Sequence, residues 1–296
     1  MILYEACPCC GQKSIAPVLS AEDFTVSHEV FEIWACAACG LRFTQRAPAA
    51  EAIGSYYASQ SYISHSDTQE GLVNKLYHKV RARTLVHKRK VIERLIGKKT
   101  GTLLDIGCGT GAFLHTMQEA GWQVTGLEPE GAARQRAQVL YQLVVAPSEK
   151  LFSLPGRSFD VITLWHVLEH VHELHAYLRQ IKELLAPGGI LLIAVPNYTS
   201  YDQQVYRQFW AAYDVPRHLY HFSPGSVNVL MAQHSLKIDR LLPMWYDSFY
   251  VSMLSEGYKT GKRHFARALV NGALSNMKAL FGTARCSSVI YVMVGC

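Results

Sequence analysis

The stretch Leu104-Asp105-Ile106-Gly107-Cys108-Gly109-Thr110-Gly111 decides the architecture. An apolar run, Leu103–Ile106, ends in three alternate glycines and passes at once into a helical pattern that begins at Ala112. Glycines at a strand-to-helix turn let the backbone tighten and let a ligand lie against bare main chain at a helix N-terminus. Working outward, Gln123–Leu127, Gln142–Val145, Phe159–Leu164, Ile190–Val195, Lys237–Leu242 and Ser288–Val294 read as further strands. Helical stretches at Ala112–Ala120, Gly131–Val139 and Val171–Leu185 separate the earlier ones. This alternation predicts an α/β fold, a doubly wound, mostly parallel, seven-stranded sheet covered on both faces. Ser223-Pro224 opens another helix, and Trp245–Ser287 is too long for a hairpin loop, so a helical insertion is expected at 245–287.

The N-terminal segment follows a different logic. Cys7-Pro8-Cys9-Cys10-Gly11 and Cys36-Ala37-Ala38-Cys39-Gly40 are two C-x-x-C-G knuckles. Paired C-x-x-C motifs in one short segment read as a tetrahedral thiolate site, and a glycine after the second cysteine suits a turn with positive φ. Cys7, Cys10, Cys36 and Cys39 are therefore expected to hold zinc, with Cys9 spare and Val26–Trp34 a strand of the ribbon. Four protein ligands leave no open position, which makes the site structural. The expected organisation is a zinc ribbon over 1–46, a helical linker over 47–99 entered through Ala47-Pro48-Ala49-Ala50, and an α/β domain over 100–296.

With 296 residues, 49% of them apolar and 18% charged, and a mean hydropathy of +0.04, the chain is neither disordered nor fibrous. No apolar run approaches the ~18 residues of a membrane span. Glu5 and Cys7 arrive before a signal segment could form, so a cytoplasmic setting is expected. The net charge of +6 is uneven: Gly71–Lys99 holds ten Lys/Arg against the single acid Glu93. Such a strip suits nucleic acid, anionic lipid or a phosphorylated small molecule, or is simply a solvated helix face.

The glycine turn also satisfies G-x-G-x-x-A through Ala112, which keeps a nicotinamide enzyme in view. Asp105 argues against it: an acid two residues before the first glycine suits a cationic ammonium and not a pyrophosphate. Glu128, ending the second strand of this region, is placed to accept hydrogen bonds from two ribose hydroxyls. Taken with Gly126-Leu127-Glu128-Pro129, Ser158-Phe159-Asp160-Val161-Ile162, Val167-Leu168-Glu169-His170-Val171 and Leu185-Ala186-Pro187-Gly188-Gly189, the turn resembles class I S-adenosylmethionine-dependent methyltransferases over about residues 100–296.

That resemblance implies a Rossmann-like fold, S-adenosylmethionine as cofactor and S-adenosylhomocysteine as product. It places Asp105, Gly107, Cys108, Gly109 and Gly111 around the methionine moiety and Glu128 with Pro129 at the ribose. Trp165 and His166 would line the crevice. Ala146-Pro147-Ser148-Glu149 stands where the family usually carries an acid near the adenine amine, leaving Ser148 and Glu149 to that task. His166, Glu169 and His170 fall at i, i+3 and i+4, a metal-ligand spacing if the turn is helical, and resembling quinone O-methyltransferases carry Glu, Glu and His there with a divalent ion. In Tyr213–Pro224 the resemblance to sugar methyltransferases that also carry a zinc ribbon puts a basic histidine on His218. Arg217 would grip an anionic acceptor such as a nucleotide sugar, Asp214 would orient the ring, and His221 is the reserve base; alternatively Arg217 and His218 staple the loop to Asp214. The aromatic stretch Tyr56–His65 lies where relatives place a lid. A small-molecule methyltransferase is thus the leading expectation, with RNA methylation second and a binding module without turnover as the alternative class.

Overall fold

The computed structural model describes residues 1–57, 72–262 and 264–295. Eleven strands and eight α-helices are assigned among these residues. The strands are β1 (Ile15–Glu22), β2 (Val30–Cys36), β3 (Arg42–Thr44), β4 (Thr102–Ile106), β5 (Gln123–Leu127), β6 (Val145–Ala146), β7 (Phe159–Trp165), β8 (Leu185–Pro196), β9 (Tyr220–His221), β10 (Leu236–Pro243) and β11 (Ser288–Gly295). The helices are α1 (Leu72–Ile96), α2 (Ala112–Gln118), α3 (Gly131–Tyr141), α4 (Leu174–Leu184), α5 (Tyr201–Tyr206), α6 (Pro224–Ala232), α7 (Asp247–Thr260) and α8 (Phe265–Leu280). Seven strands form one sheet in the order β10-β11-β8-β7-β4-β5-β6, and the β4–β5, β4–β7 and β5–β6 pairs are parallel. The expected seven-stranded Rossmann-like α/β fold is present. Strand β6 is shorter and later than expected: α3 runs on to Tyr141, and Gln142 turns left-handed at φ 56° to end it.

Of the described residues, 1–57, 168–175 and 194–292 form one compact unit, and 72–167, 176–193 and 293–295 the other. In the second unit the core is the apolar run of the central strands. Leu103, Leu104, Val161, Ile162 and Leu164 are all fully buried, as expected of strands covered on both faces.

The first unit departs from the expected boundary at residue 46. Strands β1, β2 and β3 form an antiparallel sheet, but β3 pairs onward with β9, Arg42 opposite His221 and Phe43 opposite Tyr220. The ribbon therefore shares a sheet with residues 220–221 and is not an autonomous module. A two-residue strand carries no readable alternation, so the sequence did not mark β9. The ribbon strand expected at 26–34 lies at 30–36, because Asp23 gathers the preceding turn: its carboxylate accepts from Thr25 N, Thr25 Oγ1, Ser27 N and Ser27 Oγ.

Asp23 also anchors the largest fully buried side chain, Arg217, 1% exposed. The Arg217 guanidinium donates to Asp23 Oδ1 at 2.9 Å, to both Asp214 oxygens at 2.7–3.1 Å and to the Tyr56 carbonyl at 2.8 Å. Burial alone would raise the Asp23 carboxyl, but Arg217 and the Ser27 and Thr25 donors outweigh it and hold it well below the usual range. Removing the cation from the buried Asp23 and the partly buried Asp214 costs about 3–5 kcal/mol. Arg217→Met is accordingly expected to lower unfolding free energy by that order, read from denaturant midpoints. Because Asp23 is depressed in the folded state, its contribution is complete above about pH 4 and lost as pH falls below, so the gap between wild type and variant should narrow in acid.

Candidate active site

In the second unit the register aligns Ile106 with Leu127 and Leu164, and Leu127 with Ala146. Gly107, Glu128 and Trp165 therefore stand at one level of the sheet's C-terminal edge, where open α/β folds bind ligands. The turn after β4 tolerates only glycine at two places. Gly107 has φ 71° and a Cβ there would collide with Val167; Gly111 has φ 78° and a Cβ would press on Leu143 and Ala137 at 3.0–3.1 Å. Gly109, at φ 55°, faces open space, so bare backbone is presented to the crevice.

Two acids meet at this edge. Asp105 is 2% exposed and accepts from Thr163 Oγ1 at 2.6 Å; burial pushes it up to about 7, with nearby Glu128 adding to the rise and Thr163 and Lys88 opposing it. Glu128 accepts from Gly109 N at 2.8 Å and Glu130 N at 3.0 Å, and burial pushes it up as well. Arg134 holds the turn beyond it by donating to the Glu128 and Pro129 carbonyls. Trp165 stands edge-on to Phe113, and its Nε1 is buried without a hydrogen-bond partner. Lys88 of α1 was missed as a site residue. Its ammonium lies 3.9 Å from the centre of the Trp165 ring and bears on Asp105, so part of the basic strip faces this crevice and does not present itself to phosphates. Ser148 and Glu149 open a 3-10 turn beyond β6. A glycine cradle, the buried acid Asp105, an indole N–H and the strand-end carboxylate Glu128 fit a sulfonium amino acid joined to a ribose.

The first unit carries a second cluster. His166 has φ 58° and precedes a 3-10 turn at Leu168–His170, so the i, i+3, i+4 face expected of His166, Glu169 and His170 does not form. Glu169 and His170 instead meet His218, with one ligand atom from each within 4.8 Å of the others. His170 Nδ1 lies 3.0 Å from the Arg217 carbonyl and 3.0 Å from Tyr57 Oη, and His218 Nδ1 lies 2.9 Å from the Ala212 carbonyl. A carbonyl can only accept, so each Nδ1 carries hydrogen, and in a neutral ring Nε2 is then the lone-pair donor. Burial, then the neighbouring His218, pushes His170 down to about 4, which keeps it neutral. Asp214 Oδ2 stands 3.9 Å from His218 Nε2.

Two expectations for this loop give way. Arg217 spends its donors on Asp23, Asp214 and backbone, so it staples the loop and has no fork to offer an anionic acceptor. His221 is buried in β9, donates from Nε2 to Thr44 Oγ1 and is pushed well down by burial, so it is a core histidine and not a reserve base. Of the expected lid, Tyr56 and Tyr57 are described; Ala58–His65 lies outside the described residues.

The four knuckle thiols converge as expected. Cys7, Cys10, Cys36 and Cys39 bring their Sγ atoms within 4.8 Å of one another, with Cys7–Cys39 at 3.5 Å and Cys10–Cys36 at 3.6 Å. A tetrahedron with Zn–S near 2.3 Å has edges of about 3.8 Å, so the set fits zinc. Burial pushes Cys39 up to about 12, whereas at Cys36 the N–H groups of Cys39 and Ala38 outweigh burial and bring it down to about 7. Cys9 points elsewhere, toward the Ser226 carbonyl.

The family model for a methyltransferase domain matches residues 77–241, more than half of the chain. The chain belongs to the methyltransferase domain family. Curated relatives of this chain include ubiquinone biosynthesis O-methyltransferases of Aeromonas salmonicida, 38% identical over 112 residues (35% of this chain and 45% of that protein), and Caulobacter vibrioides, 36% identical over 107 residues (33% and 42%). The chain spans less than half the length of these relatives. Among solved structures, that of a candidate sarcosine dimethylglycine methyltransferase from Galdieria sulphuraria superposes with TM-score 0.51 at 12% identity, covering 73% of this chain and 86% of that one, a likeness of fold.

Metal analysis of the purified protein is expected to give one zinc per chain. Cys→Ser at 7, 10, 36 or 39 should release it and lower the melting temperature, while Cys9→Ser retains it.

Proposed function

We propose that this methyltransferase transfers a methyl group from S-adenosylmethionine to an oxygen of a small hydroxylated acceptor. The observation that carries the reading is the strand edge that gathers Asp105, the Gly107–Gly111 cradle, Glu128 and Trp165 in one crevice. Bound there, S-adenosylmethionine supplies an electrophilic methyl whose departure leaves sulfur with its electron pair as S-adenosylhomocysteine. Asp105 holds the amino-acid ammonium, Glu128 accepts from the ribose hydroxyls, and Ser148 with Glu149 borders the adenine. The acceptor hydroxyl loses its proton to His218 Nε2, the nitrogen that the Ala212 carbonyl leaves unprotonated in the neutral ring by fixing Nδ1–H. Asp214 balances the resulting imidazolium. Positioning and proton removal are the protein's share of such an in-line displacement.

The relatives' names support oxygen as the methylated atom and a phenolic acceptor over a nucleotide sugar. With Arg217 engaged and Lys88 over Trp165, neither an anionic acceptor nor RNA is part of this reading. No helix among the described residues is long and apolar enough to cross a membrane.

A second reading rests on the convergence of Glu169, His170 and His218. Glu169, His170 and His218 would hold a divalent cation there, which would supply Lewis acidity to an acceptor hydroxyl in place of a free base. Chelation separates the two: activity that disappears with a chelator and returns with magnesium or zinc supports the cation, and activity indifferent to chelation supports the free base.

In calorimetry, Glu128→Ala is expected to weaken S-adenosylhomocysteine binding by about 1.5–3 kcal/mol through lost charge-assisted hydrogen bonds. His218→Asn keeps an N–H for the Ala212 carbonyl but removes the basic nitrogen. Assayed with methyl-labelled cofactor against a panel of catechols and nucleotide sugars, it should turn over about 10²–10⁴-fold more slowly with unchanged cofactor affinity. Equal turnover would return the loop to a purely structural role.

A further inference from the structure

Helix α8 has two apolar faces where a surface helix needs one. Ala268, Gly272, Ser275 and Ala279 form a buried stripe of small residues, close enough to α7 that a Cβ on Gly272 would press on Phe249. The opposite side is not polar. Phe265, Leu269, Val270, Met277, Leu280 and Phe281 are 50–86% exposed, more large apolar side chains than any other helix among the described residues leaves bare. At 3.6 residues per turn they occupy a continuous arc of about 160°. Arg267 and Lys278 follow directly at the edge of that arc, and Arg267 is 72% exposed at its side chain.

The charge at this arc is mostly positive, although Arg267 lies 3.9 Å from Glu256 of α7 and Lys278 stands over the Tyr201 ring. After Glu256 the sequence has no Asp or Glu to its last residue, yet it carries Lys259, Lys262, Arg263, Arg267, Lys278 and Arg285. A sixteen-residue helix with an outward apolar arc flanked by bases is too short to span a bilayer and is shaped to lie in an interface. Two copies meeting through this face would oppose basic segments whose nearby acid, Glu256, is buried beside Arg267 of its own copy, which disfavours self-association.

We infer that α8 docks this protein on the surface of an anionic lipid bilayer, its apolar arc sunk among acyl chains and its bases among headgroups. The inference stands on this helix alone and is independent of the acceptor. Both terms of interfacial binding are present: apolar area for the acyl boundary and positive charge for anionic lipid.

Flotation of the 296-residue protein with vesicles tests it. Wild type should float with phosphatidylcholine–phosphatidylglycerol vesicles, less with pure phosphatidylcholine, and less again as salt is raised. Leu269→Glu combined with Leu280→Glu, at exposed positions outside the cofactor site, should cut binding more than about tenfold with unchanged circular dichroism and S-adenosylhomocysteine affinity. Arg267→Gln with Lys278→Gln should weaken only the anionic-vesicle binding. Wild type left behind by both vesicle types overturns the inference, as does a Leu269/Leu280 variant that floats as well as wild type. A wild-type dimer in sedimentation that the same substitution dissociates, without vesicle binding, would assign the face to a second copy instead.

Discussion

A guanidinium with 1% of its surface exposed must have its charge matched, and Arg217 is matched from two directions. Asp214 lies three residues before it in its own loop, and Asp23 lies at the end of β1, almost two hundred residues earlier. The desolvation cost of an unpaired ion in such a place far exceeds what local packing supplies, so the loop cannot leave the ribbon without exposing all three groups. Much of the candidate chemistry inherits its geometry from this pairing. The Arg217 carbonyl receives His170 Nδ1, the Asp214 carbonyl receives the His218 backbone N–H, and Ala212 fixes the His218 ring. Two histidines thus show the same face, Nε2, because backbone carbonyls hold the other nitrogen.

The cofactor crevice obeys a different constraint. Two carboxylates in a half-dry space would repel each other, and their burial raises both. The fold lowers that cost locally: Thr163 and Lys88 serve Asp105, and two backbone N–H groups serve Glu128. Those partners are ones that a cationic ammonium and ribose hydroxyls would supplement or exchange. The edge is therefore electrostatically arranged for a ligand that is positive at one end and hydroxylated further along.

The ribbon, for its part, is an element of the unit that carries His218. Its strand β3 hydrogen-bonds to β9, and Thr44 Oγ1 donates to the His218 carbonyl. Knuckle glycines at φ 72–73° let each Cys-containing turn close. A metal held by the four cysteines would secure a sheet whose last strand begins two residues after His218, which would give it a stake in site geometry without any chemical role.

What the sequence determined by itself was everything carried by spacing and period. The alternation of apolar runs and helices specified the sheet, the glycine triplet specified the turn after β4, Glu128 was legible as a strand-end acid, and the knuckles named their four cysteines. These rest on local backbone rules, where residue type and neighbours within a few positions suffice. Tertiary structure alone decided which distant residues meet. The pairing of Asp23 with Arg217 turned an expected anion grip into a staple, the left-handed His166 broke a helical metal face and let His218 complete the Glu169–His170 cluster, Lys88 entered the cofactor crevice, and His221 became a core residue. Each depends on burial and on charge matching across long stretches of chain, where pairing energy is set by desolvation, a quantity no local pattern encodes.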